Sequence, residues 1–142
     1  MNSTINENNQ SLGNELYENK LPLQPKYDGP TATPSLVDGK YKDLNTNYTM
    51  SGDYAYVIDS DGNLKMVQVS KLENIGGGHT SLTGGAPVKY AGEIHFTKSG
   101  QLEWWSNGSG HYEPLASQAS QAAEWLRAAG LSDISVDKFI PK

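Results

Sequence analysis

The chain contains no cysteine among its 142 residues. That absence excludes a disulfide framework, a thiol nucleophile and thiolate metal sites. It leaves the compartment open, because such a chain tolerates oxidising and reducing surroundings alike. Positive charge is also scarce. Eleven Lys and Arg stand against sixteen Asp and Glu, for a formal charge of −5, and Arg127 is the single arginine. A domain whose main task is to hold nucleic acid carries a basic stripe. Here the lysines are scattered, at Lys65, Lys71, Lys89, Lys98 and Lys138. This balance suits a small-molecule substrate or a protein partner better. No apolar run is long enough to span a membrane. The opening residues, 1–10, are polar and lack the basic start and apolar stretch of a secretory signal.

The first fifty residues are also poor in patterned apolar residues. Pro22, Pro25, Pro30 and Pro34 interrupt any long element, and Leu12, Leu16, Tyr17, Leu21, Leu23, Tyr27 and Leu36 are isolated. Residues 1–50 therefore read as an extended, partly disordered arm or linker, with a short helix near Leu12–Glu18. Residues 51–142 read as the folded domain. Tyr54–Ile58 and Asn63–Val69 are expected strands, joined through the turn Asp59-Ser60-Asp61-Gly62. The ligand positions of a calcium loop beyond those aspartates are missing. Pro87–Thr97 is the clearest strand, with Val88, Tyr90, Ile94 and Phe96 on one face and Lys89, Glu93, His95 and Thr97 on the other. Gly92 breaks the apolar face, which points to a bulge or a close contact. Gln101–Ser106 returns as its partner. Of the pair Trp104-Trp105, one side belongs to the core and the other packs or stacks on the opposite face.

Leu115, Ala119, Ala122, Leu126 and Ala129 recur at helical spacing, and Gly130-Leu131 suits a Schellman end. The expected fold is α+β: an antiparallel sheet of about four or five strands, one C-terminal helix packed on it, and an extended N-terminal arm.

Polar chemistry concentrates between Gly76 and Pro114. His79 follows three glycines and precedes Thr80 and Ser81, a setting that predicts an exposed, mobile imidazole able to exchange a proton. The alternative is a loop histidine that caps a strand. His111 lies in Ser109-Gly110-His111-Tyr112-Glu113-Pro114, just before the helix, where backbone N–H groups attract anions; the alternative is capping and packing of Tyr112. Glu93 sits between small neighbours. Buried, it needs a partner that His79 or His111 can supply; solvated, it belongs to an ordinary polar face. His79, His111 and Glu93 are thus the candidate catalytic set, with Ser81, Tyr112, Ser109 and Lys89 as candidate substrate contacts. The set suits metal-independent acid–base chemistry, such as RNA cleavage. HxH and HExxH spacings are absent, so no metal is expected, and no cofactor either. Gly76-Gly77-Gly78 lacks the GK[ST] of a P-loop, and no GxSxG elbow occurs.

The block His79-Thr-Ser-Leu, Ala91-Gly-Glu-Ile94 and Ser109-Gly-His-Tyr-x-Pro114 resembles a small domain at the C-terminal ends of bacterial polymorphic toxins and secreted effectors. A related block occurs in plant IQ-motif calmodulin-binding proteins. The likeness covers roughly residues 54–131. Thr80 stands where a serine is expected, and Leu82 where Phe or Leu is. The upstream region of the plant proteins is lacking, so calmodulin binding does not carry over. The resemblance implies a toxin or effector, secreted or delivered into a target cell's cytoplasm, in interbacterial competition, with a cognate immunity protein as partner. Within that context the expected activity is a metal-independent ribonuclease acting on RNA through His79, His111 and Glu93; the alternatives are an NAD-using toxin, as an ADP-ribosyltransferase or NAD glycohydrolase, and a non-catalytic binding module.

Overall fold

The computed structural model describes residues 15–142. Among the described residues, seven strands and two helices make an α+β fold. The N-terminal strands β1 (Pro34–Val37) and β2 (Lys40–Asp43) pair as a small antiparallel hairpin. The main sheet contains β3 (Gly52–Asp59), β4 (Leu64–Gln68), β5 (Val88–Phe96), β6 (Leu102–Ser106) and β7 (Phe139–Ile140), in the order β4-β3-β5-β6-β7. A one-turn helix, α1 (Val69–Glu73), follows β4, and α2 (Ala119–Ala128) precedes β7. The sheet is mixed rather than antiparallel throughout, because β7 runs parallel to β6. Among the described residues no helix is long and apolar enough to cross a membrane.

Strand alternation sets the two layers. Tyr54, Tyr56 and Ile58 of β3 face the same way as Tyr90, Ile94 and Phe96 of β5, and α2 covers them through Ala119, Ala122, Ala123 and Leu126. The opposite face carries a smaller cluster of Ala55, Val57, Val67, Ala91 and Val88, covered by Leu72 of α1, Leu82 and Tyr112. Val88 was expected beside Tyr90. The register shifts between Ile58 and Asp59, and that irregularity turns Val88 to the other face. Lys89 moves too: its ammonium lies 5.1 Å from the ring centroid of Trp125 on α2, so it is not grouped with Glu93.

The region expected as an arm contributes to this body. Tyr41 and Met50 are fully buried in the larger core. Tyr41 donates its hydroxyl to Asp133, and the Tyr41 amide donates to Gly100 at 2.7 Å. The helix expected near Leu12–Glu18 lies partly outside the described residues; Tyr17 itself forms an isolated bridge to Val88. Helix α2 ends as its sequence dictates. Gly130 adopts φ of 121°, Gly130 N–H donates to Arg127 and Leu131 N–H to Leu126, and Leu131 is buried. Leu115, by contrast, is exposed, because a 3-10 turn at Ala116–Gln118 precedes the helix and rotates that position off its apolar face.

Candidate functional site

His79 opens a 3-10 turn, His79–Ser81, whose three residues are all buried. The histidine is only 8% exposed. The expectation of an exposed, mobile imidazole is therefore corrected: the glycines before it admit neighbours rather than freedom. A Cβ on Gly77 would lie 2.2 Å from Ser81 Oγ, and one on Gly78 would lie 2.6 Å from Gln24 Nε2. His79 donates from Nε2 to the Gly92 carbonyl at 2.8 Å. Strand β6 pairs β5 only from Ile94 to Phe96, so this bond occupies β5 beyond the end of that ladder. Burial pushes the imidazole below its ordinary range; the Gly92 carbonyl opposes this, and the charge on His111 adds to it.

Gly92 is required by the same crowding. A Cβ there would sit 1.8 Å from the Ser106 carbonyl oxygen, the atom that also accepts the Tyr56 hydroxyl at 2.8 Å. The close contact expected at this glycine is thus present.

His111 donates from Nε2 to the carbonyl of Pro22 at 3.0 Å. Tyr112 is buried; its hydroxyl donates to the Ala86 carbonyl at 2.6 Å and meets Thr83 Oγ1 at 2.8 Å. Ser81 Oγ accepts the Gly78 amide at 3.1 Å, and Ser109 Oγ accepts the Tyr112 amide at 3.3 Å. The polar residues of the block are therefore engaged with the chain itself.

Glu93 belongs to a different group. It projects from the same sheet face as Ala91 but beyond the apolar cover. Burial raises its carboxyl above the ordinary range; Asp53 adds to this, Lys142 opposes it, and Glu73 adds a little more. The structure brings His79 and His111 within electrostatic range of one another and places Glu93 with Asp53, Glu73 and Lys142. Lys89 joins neither group.

Next to Glu93 lies a cluster that the sequence reading did not single out. His95 Nδ1 meets Asp53 Oδ1 at 2.5 Å, and Nε2 meets Glu103 Oε1 at 3.2 Å. The ring stacks on Trp104 with centroids 5.5 Å apart and planes 7° apart, while Lys142 lies over the same indole at 5.6 Å. The signal was present in the alternation that put His95 on the polar face and in the cross-strand registers Asp53–His95 and His95–Trp104. Trp105 is the core partner of the pair and donates its indole N–H to Ser135 at 2.8 Å. Among the described residues no group of three or more His, Asp or Glu side chains is arranged to hold a metal ion.

A cleft of about 450 Å³ opens between residues 107–110 and 113–116, with Lys142 on its wall. Ser109 lines it, but His79, His111 and Glu93 do not. Set against family models, curated proteins and solved structures, the chain gives no match.

Proposed function

We propose that this chain is a non-catalytic binding module working in a toxin or effector context, and that the histidine block is the framework of its binding surface. The observation that carries this reading is the use of the block's donors. His79, His111 and Tyr112 all donate to main-chain carbonyls, of Gly92, Pro22 and Ala86 respectively. Bonds of this kind join a loop, the central strand β5 and an arm. An acid–base pair needs an open cleft shared by both groups, and the cleft at residues 107–116 is lined by neither histidine. The negative charge favours a protein partner over RNA. The context rests on the resemblance of residues 79–114, which also supplies the expectation of delivery into a target cell and of an immunity protein.

One observation favours the catalytic alternative. Donation from Nε2 leaves Nδ1 of neutral His79 as the basic nitrogen, and burial keeps that ring neutral. A ribonuclease would use that nitrogen with His111 as the second proton-transfer group. Inducible expression in bacteria separates the readings. Wild type is expected to leave growth, total RNA and cellular NAD unchanged. Growth arrest relieved by His79→Gln, with the thermal melt preserved, would overturn the binding reading. Degraded RNA would then identify a ribonuclease and depleted NAD an NAD-using toxin.

A further inference from the structure

Residues 15–27 cross the whole histidine block without forming a strand or helix of their own. Tyr17 bridges Val88 in both directions, N–H to O at 2.7 Å and O to N–H at 3.0 Å, and its hydroxyl donates to Gln118. Lys20 donates its amide to the His111 carbonyl at 2.8 Å and its ammonium to the Tyr112 carbonyl at 2.8 Å. The Pro22 carbonyl receives the His111 ring N–H. Gln24 exchanges bonds with Thr80, its amide reaching Oγ1 at 3.2 Å and its Oε1 accepting the Thr80 amide at 3.1 Å. The Tyr27 amide donates to Ser81 at 3.1 Å.

Half of the segment's bonds to the rest of the fold use its main chain, which any extended peptide can supply, and the others come from Glu15, Tyr17, Lys20 and Gln24. Of its apolar side chains, Tyr17 packs against both cores and edge-on to Tyr90 and Tyr27 packs against the smaller core, while Leu21 is 48% exposed and Leu23 is 65% exposed. The surface below is shaped to receive a chain. Gly78 lacks a side chain where Gln24 presses, and a Cβ on Gly85 would lie 2.3 Å from Leu23 Cδ2. Uncovered, the groove would present a row of main-chain donors and acceptors that an extended segment can pair. A groove of that kind takes an extended segment, and one anchored by two tyrosines with its leucines exposed opens more readily than the sheet beneath it.

We infer that residues 15–27 are a displaceable strap over a peptide-binding groove, and that the partner is a protein offering an extended segment of the same pattern: tyrosine, lysine three residues on, proline five on, glutamine seven on. This rests on the binding reading above. The partner's segment adds to the start of β5 at Val88 and replaces the strap bond for bond.

The test uses the full chain and a fluorescent synthetic peptide of residues 15–27. The absence of native cysteine makes a lock straightforward. Val88 and Tyr17 form a hydrogen-bonded antiparallel pair, whose Cα separation of about 5.5 Å suits a disulfide. Wild type and reduced Tyr17→Cys/Val88→Cys should bind the peptide saturably, and the oxidised form at least tenfold more weakly. No binding by wild type near its melting midpoint, or equal binding by oxidised and reduced forms, overturns the inference. A concentration-dependent wild-type dimer that the oxidised lock abolishes would make a second copy the occupant and overturn the assigned partner. Hydrogen exchange on wild type guards against a misfolded double variant: the amides of Tyr17, Lys20 and Tyr27 should exchange at least a hundredfold faster than those of Tyr56 and Ile94, and equal protection overturns the strap. Failed displacement with a non-toxic wild type removes the groove alone, whereas toxicity relieved by His79→Gln removes the binding reading.

Discussion

The ring of His79 donates to the carbonyl of Gly92 across thirteen residues of sequence, at 2.8 Å and out of contact with most of the solvent. The glycine leaves room for the β6 backbone on one side, and the histidine satisfies its carbonyl. Two features that look separate in the sequence, a histidine after glycines and a glycine inside a strand, are thus parts of one junction.

Removing that donor leaves a buried acceptor. His79→Ala should destabilise the fold by about 1–3 kcal/mol, with any cavity term in addition. His79→Gln retains a donor and should lose less. The pH dependence separates them further. The folded imidazole titrates below its ordinary value of 6.5, so the unfolded chain takes up its proton first as pH falls. The stability is full above about pH 6.5 and declines as pH drops through that value towards the lower folded one. Urea melts from pH 7.5 to 5 should show this slope in wild type and a smaller slope in His79→Gln. Equal slopes would remove His79 as its origin.

Gly92→Ala should be more damaging than any other single-methyl addition in the sheet. The new Cβ meets main chain at 1.8 Å, and main chain held between strands cannot rotate away as a side chain can. The expected loss is about 3 kcal/mol or more, at the upper end of overpacking. A chemical melt within 1 kcal/mol of wild type would mean that β6 can shift there.

What the sequence made legible was local. The β3–β4 hairpin, the long strand β5, its return strand and the Schellman end of α2 follow from alternation, turn residues and a terminal glycine within a few positions of one another. The strap was not legible, because its partners lie far along the chain: Tyr17 meets Gln118 across 101 residues, and Gln24 meets Thr80 across 56. Half of its bonds also use main-chain atoms, which side-chain pattern does not encode. His79 misled for a related reason. Three glycines signal freedom when their neighbours are unknown, and here Gly77 and Gly78 signal the close approach of Ser81 and Gln24, while Gly76 takes a positive φ in open space. The reading of Lys89 failed on one irregularity of register that no local pattern marks.

Glu93 should behave in the opposite sense to a paired carboxylate. Burial and Asp53 raise its folded value above the ordinary 4.5, so the fold disfavours its charged form. No penalty exists below about pH 4.5, where folded and unfolded chains are both protonated. The penalty grows as pH rises through that value and is complete above the folded one. Glu93→Gln should therefore raise the melting temperature at pH 7 and leave it unchanged at pH 3.5. A lower melting temperature at pH 7 would show that Lys142 outweighs burial and Asp53.

His95 has more partners than His79 and should matter less to stability. Asp53 and Glu103 flank its two nitrogens, and Trp104 stacks beneath it. Both carboxylate side chains are about half exposed, at 50% and 55%, so water competes for each charge. Exposed pairs of this kind are worth about 0.2–1 kcal/mol, against about 1–3 kcal/mol for leaving a buried acceptor unmet. A double-mutant cycle of Asp53→Asn and His95→Gln at pH 6 should give a coupling in the smaller range. In 1 M salt, where screening acts within about 3 Å, that coupling should shrink. The stacking component should survive, so His95→Phe should retain more stability than His95→Ala at both salt concentrations. A coupling as large as the His79→Ala loss, or one indifferent to salt, would mean that the cluster is shielded from water and that burial is not what ranks the two histidines.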